Sequence, residues 1–384
     1  MSADETKPRS IALLTSLGRE RPLLVGWITL AIFQFHGDAW LVELGDPMVA
    51  ALLFAWIFPV LLWASFGVVR HADGLAAILG EPYGTLILTI AVIGIEVSLI
   101  AAIMLTGDAN PTLARDTMFA VLMIVLNGLV GGALLLGGLL HREQSYNLRG
   151  ARAFLSVLVT LAVFALVLPG FTVSTADPTF SAGQAFFFAL ITALLYVVFL
   201  VLQTGRHRGF FLQEETAEGE AAGEEEEAHG HGPVRSLGYH AALMVLTLLP
   251  IVLLSKRMAT LVDFGIFEIG APAALGGIVI ALLVLTPEGI AAMRAAHANR
   301  LQRSVNLLLG SSLSTIGLTV PAVLAIGLLT GQSVVLGLEG ASLVLLLLTL
   351  LLSSFTFGGV RTNLLQGAVH LVIFLAYLML VFSP

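Results

Sequence analysis

Apolar residues run through this chain in long blocks, and polar residues gather between them. Blocks of roughly 17 residues or more are long enough to cross a bilayer as helices. They fall at 23–40, 48–69, 84–106, 117–140, 152–170, 183–203, 237–255, 271–292, 304–329, 334–355 and 361–382. The pattern predicts an all-α polytopic membrane protein with about eleven transmembrane helices. Only helices and closed barrels satisfy their backbone in lipid. Barrel strands would alternate apolar and polar residues with period two, and these runs do not.

Charge between the blocks adds an orientation. With the N-terminus in the cytoplasm, the inner loops hold every Lys and Arg except Arg115, Lys256 and Arg257. Such a bias is the expected signature of cytoplasmic loops. An acidic segment at 205–236, with eight Glu and three Arg, lies on the same side. It divides the chain into a tail and leading helix (1–47), a five-helix unit (48–204), the loop itself (205–236) and a second five-helix unit (237–384). Five is odd, so the two units enter the membrane in opposite senses. That is an inverted repeat, an architecture common among secondary transporters.

Composition narrows the function classes. The chain is 58% hydrophobic and 11% charged, with a mean hydropathy of +0.97. Soluble domains carry about 25% charged residues, and a soluble fold this apolar would expose large sticky patches. An ordinary soluble enzyme, a nucleic-acid binder and a disordered protein are excluded. The absence of cysteine removes disulfides, thiolate metal sites and cysteine nucleophiles. The net charge of −7 is mostly local, since the acidic segment alone sums to −5. Residues 1–21 are polar and lack a cleavable-signal pattern.

Only two carboxylates fall deep inside apolar spans, Glu96 in the third and Glu288 in the eighth. Each sits in the second helix of its five-helix unit. Acids in the membrane interior are costly and mark ion or proton pathways. Gly94 and Ser98 flank Glu96, and Thr286, Pro287 and Gly289 flank Glu288. Proline frees an upstream carbonyl and glycine weakens the helix, so oxygen ligands for a hard cation lie nearby. The following helices add Asn127 in one unit and Asn306, Ser311 and Ser312 in the other. Close helix packing is the competing role for these small polar residues, and a plain kink is the competing role for Pro287. Glu81-Pro82 reads as a helix start, and Glu339 as a group reaching lipid headgroups. Glu224, Glu225, Glu226 and Glu227, followed by His229 and His231, read as a solvated loop or as a cation-sensing segment.

Longer blocks carry a resemblance. Val69-Arg-His-Ala-Asp73, Leu79-Gly-Glu-Pro-Tyr-Gly84, Glu96-Val-Ser-Leu-Ile100, Thr106-Gly-Asp108, Arg115-Asp-Thr117, Ser304 through Ser312, Leu318-Thr-Val-Pro321 and Arg361-Thr-Asn363 resemble bacterial ChaA-type calcium/proton antiporters. These belong to the cation/proton branch of the calcium/cation antiporter superfamily. The resemblance runs from about residue 60 to the C-terminus and weakens through the acidic loop. It implies a leading helix plus two inverted five-helix repeats, with one cation-binding acid in each, at Glu96 and Glu288. It implies no cofactor, Ca2+ and H+ as transported ions with Na+ or K+ as alternatives, and a bacterial inner membrane as the location. Two departures reduce the oxygen supply. Val92-Ile93 and Val284-Leu285 stand where many members have Gly-Asn, and Leu122-Met123 replaces a Gly-Ser pair.

A divalent cation neutralises two carboxylates, and so do two protons. An empty, doubly charged site is costly in the membrane, so obligatory exchange of one calcium for two protons is expected. A channel lacks a reason for paired acids in two inverted halves. An intramembrane enzyme would need a nucleophile–base pair or a metal cluster, and no HExxH or convincing Ser–His pair is present. If the acidic loop senses cations, deletion of residues 214–228 should change the cation dependence of transport in proteoliposomes. Unchanged kinetics would remove the loop from the mechanism.

Overall fold

The apolar blocks become helices because a chain in lipid must satisfy its backbone within each segment. In the computed structural model, residues 20–42, 44–79, 87, 91, 93–98, 100–101, 104, 111–212, 236–272 and 274–383 are described. Glu81-Pro82, most of the third span and the loop residues Glu224 to His231 lie outside them. In chain order the helices are α1 (Arg21–Val42), α2 (Pro47–Leu79), α3 (helical at 93–98), α4 (Leu113–His141) and α5 (Leu148–Phe171). They continue as α6 (Ala182–Thr204), α7 (Leu237–Glu268), α8 (Ala274–His297), α9 (Leu301–Thr330), α10 (Gly340–Thr356) and α11 (Leu364–Phe382). Eight of these, all but α1, α3 and α10, are long and apolar enough to cross a membrane. The chain is an all-α, multi-pass membrane protein.

Four boundaries differ from the hydropathy reading, each for a physical reason. Helix α2 runs ten residues past the predicted end at 69. Its polar Arg70 and His71 are anchored by Glu20, at 2.6 Å and 3.0 Å. Helix α7 runs from 237 to 268 rather than ending at 255. Arg257 pairs with Asp38 at 2.6 Å, and Met258, Leu261 and Val262 beyond it are buried. Helix α8 runs to His297 rather than 292, placing Arg294 and His297 in its last turn, where positive charge suits the helix dipole. The predicted span at 334–355 starts late, at Gly340. Residues 332–339 are coil, although Val334, Leu336 and Leu338 are buried. Amides in this stretch donate to the Pro111, Pro178 and Leu166 carbonyls, so the backbone is satisfied without a helix. Glu339 is exposed at the N-cap position of α10, without a side-chain bond to the helix.

Two apolar cores divide the molecule. One joins α1, α2 and α7 to a face of α8 through Ile280, Leu283 and Val284. The larger one joins α4, α5, α6, α9, α10 and α11 to another face of α8 through Ile278, Ala281 and Leu285. Helical periodicity explains how one segment serves both. At 33 and 32 residues, α2 and α7 are each about 50 Å long, well beyond an apolar core about 30 Å thick. They must tilt or protrude. Their ends are tied: Tyr239 donates to Glu20 at 2.8 Å, and the Nδ1 atoms of His71 and His240 lie 3.3 Å apart.

The α4–α5 and α10–α11 connections pair as a two-stranded antiparallel ribbon, β1 (Glu143–Ser145) with β2 (Arg361–Asn363). Tyr146 donates to the Gly359 carbonyl beside it. Burial pushes the Tyr146 phenol up to about 12, so it stays a donor. Below the ribbon, α4 and α11 touch backbone to backbone. A Cβ on Gly367 would lie 2.5 Å from the Leu135 nitrogen and 2.8 Å from the Gly131 carbonyl oxygen. Neither backbone can yield as a side chain would. Gly367→Val should therefore destabilise the protein by about 3 kcal/mol, the upper end for overpacking. A large drop in the thermal midpoint in detergent is the expected reading.

Candidate functional site

Both intramembrane acids lose their water on folding. Glu96 is 2% exposed and Glu288 is 8% exposed, so each needs hydrogen-bond donors from the protein. One helix supplies them. Thr315 Oγ1 donates to Glu96 Oε2 at 2.8 Å, and Thr319 Oγ1 reaches Glu96 Oε1 at 3.4 Å. Ser311 Oγ donates to Glu288 Oε2 at 2.5 Å. Positions 311, 315 and 319 are four apart, which places their hydroxyls along one face of α9. Two carboxylates and three hydroxyls make an all-oxygen set of the kind hard cations take.

Local sequence explains the placement. Pro287 lies inside α8 and is buried. It has no amide hydrogen, so the Leu283 carbonyl loses its helical donor one turn before Glu288. Gly289 lets Leu129 of α4 approach, since a Cβ there would lie 3.0 Å from the leucine side chain. Gly94 has open space where a Cβ would project, and Ser98 is half-buried on the same helical run as Glu96. Thr286 is turned back onto its own helix, donating to the Leu282 carbonyl.

The other expected supporting residues separate. Ser312 donates to the Leu308 carbonyl at 3.1 Å, one position round the helix from the acids' donors. Asn306 donates to the Phe211 carbonyl at 2.6 Å and accepts from Gln302, which ties α9 to the segment after α6. Asn127 donates to Thr349 at 2.8 Å and faces His370 at 3.2 Å, away from the carboxylates' donors. Leu122 and Met123 of α4 are fully buried and offer no side-chain oxygen. Thr315 and Thr319 are the partners that sequence reasoning missed. Their four-residue spacing from Ser311 was the available signal. Among the described residues, no group of three or more His, Asp or Glu side chains is gathered for a metal.

The model of the sodium/calcium exchanger protein family matches residues 49–205 and 239–383. The chain belongs to the sodium/calcium exchanger family. It is 42% identical to the putative ionic transporter y4hA of Sinorhizobium fredii, over 90% of this chain and 96% of that one. It is 41% identical to the sodium-potassium/proton antiporter ChaA of Escherichia coli, over 88% and 90%. The resemblance read from the motif blocks is thereby confirmed. Among solved structures, the H+/Ca2+ exchanger CAX superposes with a TM-score of 0.69 at 15% identity, covering 95% of this chain and 88% of that one. At that identity the likeness establishes the fold.

If Glu288 binds the transported cation, the hydrogen-bond map separates the two adjacent serines. Ser311→Ala removes a bond to a carboxylate, worth about 2 kcal/mol, and should weaken cation binding about tenfold or more. Ser312→Ala removes only a bond within α9 and should leave binding within about twofold. Isothermal titration of the detergent-purified variants with Ca2+, Na+ and K+ compares them directly.

Proposed function

We propose that this protein is a secondary transporter that exchanges a cation for protons by alternating access, with Glu96 and Glu288 binding cation and protons in turn. The observation that carries the reading is the pair of buried acids, from two separate stretches of chain, facing one row of hydroxyls on α9. Hydroxyls donate to a carboxylate and accept from a protonated acid, so the same lining serves both loaded states. The family model matches in two stretches that flank the acidic loop, which supports two five-helix units at 48–204 and 237–384 after a leading segment of 1–47.

With two carboxylates, one Ca2+ or two protons leave the site neutral, and exchange of cytoplasmic calcium for external protons follows. A second reading has its own observation. Helix α4 adds no side-chain oxygen at Leu122-Met123, and the relative from Escherichia coli at 41% identity is a sodium-potassium/proton antiporter. Sodium or potassium exchange at the same two acids fits this sparser ligand set. The two apolar cores supply a seam for alternating access. A small cavity lies between α7 and α8 within the first of these cores, lined by Ser255, Met258, Val262 and Leu283 among others. Movement of the α1–α2–α7 group against the rest would open the site to one side and then the other. The lysine and arginine bias supports a cytoplasmic N-terminus, and the bacterial relatives favour an inner-membrane location.

Purified protein in liposomes with a trapped pH dye and an imposed proton gradient tests this. Addition of Ca2+, Na+ or K+ should dissipate the gradient for the ions that are cargo. Glu96→Gln and Glu288→Gln should each reduce that flux by about a hundredfold, the upper scale for loss of even an outer partner of a metal site. Intact cation-dependent proton flux in either variant would overturn the paired-acid mechanism. Flux with sodium or potassium alone would keep the site and change the cargo.

A further inference from the structure

Within α4, residues Ile124–Leu129 form a π turn. Such turns are rare, sit frequently at functional sites, and disturb the regular backbone ladder. One side chain from another helix meets this turn at its polar residue. His370 of α11, fully buried, lies 3.2 Å through Nδ1 from Asn127 Oδ1. Asn127 spends its amide on Thr349 at 2.8 Å, so its oxygen faces the ring. That network assigns the hydrogen to Nδ1 of His370 and leaves Nε2 to accept from the Thr356 hydroxyl at 2.9 Å. Every polar atom of the ring is satisfied in its neutral form.

The π turn also packs against α8, which carries Glu288, and α9, which carries the acids' hydroxyl donors. Leu129, its last residue, is the side chain pressed on Gly289, next to Glu288. Relaxation of the turn to ordinary α geometry would rotate the C-terminal part of α4 by about 100°, carrying Leu129 off Gly289. The π turn of α5 also carries a bond from outside its helix. Its Leu166 carbonyl accepts from the Leu338 amide at 2.7 Å, a donor from outside the helix.

We propose that His370 is a positioning residue for the exchange reaction: it holds the π turn of α4 open and, through Leu129 and Gly289, shapes the space beside Glu288. The inference rests on the antiport reading. It is distinct from a role in filling volume, because it requires the ring's donor and acceptor.

The test uses full-length protein in proteoliposomes, with whichever of Ca2+, Na+ and K+ drives wild-type flux. Supporting groups one step from a site typically change affinity about tenfold or more. His370→Phe keeps volume and removes both hydrogen bonds. It should raise the half-saturating cation concentration about tenfold while the maximal rate stays within about threefold. His370→Gln retains a donor and an acceptor and should recover most of the loss. A half-saturating concentration in His370→Phe within about twofold of wild type overturns the proposal, as does a glutamine variant no better than phenylalanine. A lowered melting temperature with unchanged half-saturation also overturns it, since that is a structural role alone. If His370→Phe does not fold, Thr356→Val removes one partner of the ring and should raise half-saturation about threefold, and no change overturns the proposal. Absence of wild-type flux with all three cations would instead overturn the antiport reading, and this inference with it.

Discussion

Two carboxylates in a lipid-embedded helix bundle are the constraint around which the rest is arranged. Each costs about 3 kcal/mol to place near the middle of a membrane helix. The protein meets this with hydroxyls from one helix rather than with a fixed positive charge. A lysine or arginine would neutralise an acid permanently and compete with any cation for it. A hydroxyl satisfies the carboxylate's lone pairs without cancelling its charge, and it can turn to accept when the acid carries a proton. The row at Ser311, Thr315 and Thr319 is therefore suited to an acid that must change partners.

The position of α8 gives that site its mechanical setting. Its successive faces enter two different apolar cores, and Glu288 follows directly after the residues that do so. Packed cores behave as units with discrete arrangements rather than as continuously deformable media. In the proposed exchange, a shift between the two cores must be accommodated at α8, where Pro287 already interrupts the hydrogen-bond ladder. The α1–α2–α7 group is tied at both ends by Glu20 and by the Arg257–Asp38 pair, which favours its moving as one piece.

Much of this was legible in the chain, and the parts that were not share a cause. Hydropathy located the helices because long apolar runs have few alternatives in lipid. It failed at 334–339 because apolar character reports burial, and a buried coil with satisfied amides is as apolar as a helix. It stopped α7 at Lys256-Arg257 because charge reads as a boundary, whereas Arg257 has a partner in Asp38. Within the site, Glu96, Glu288 and Ser311 were recoverable from depth and adjacency. Ser312 was not separable from Ser311, because a 100° step around α9 decides which hydroxyl meets an acid. Asn127 was grouped with the site by its depth, yet its partners are Thr349 and His370, more than two hundred residues away. Such pairings depend on the packing of α4, α10 and α11, which no local pattern encodes.

The unequal sources of the acids' donors have a consequence for coupling. If the chain is built of the two proposed five-helix units, an even site would give each acid donors from the corresponding helix of its own unit, α4 for Glu96 and α9 for Glu288. Among the described residues α9 serves both, with Thr315 on one acid and Ser311 on the other. A displacement of α9 along its axis therefore alters the hydrogen bonding of both acids together. In the proposed exchange, a cation drawing Ser311 off Glu288 also shifts Thr315 against Glu96, because one turn of rigid helix joins them. The protonation of each acid then depends on what the other holds, even without direct contact between the carboxylates. In the proposed exchange, that mechanical link ties the loading of one acid to the loading of the other.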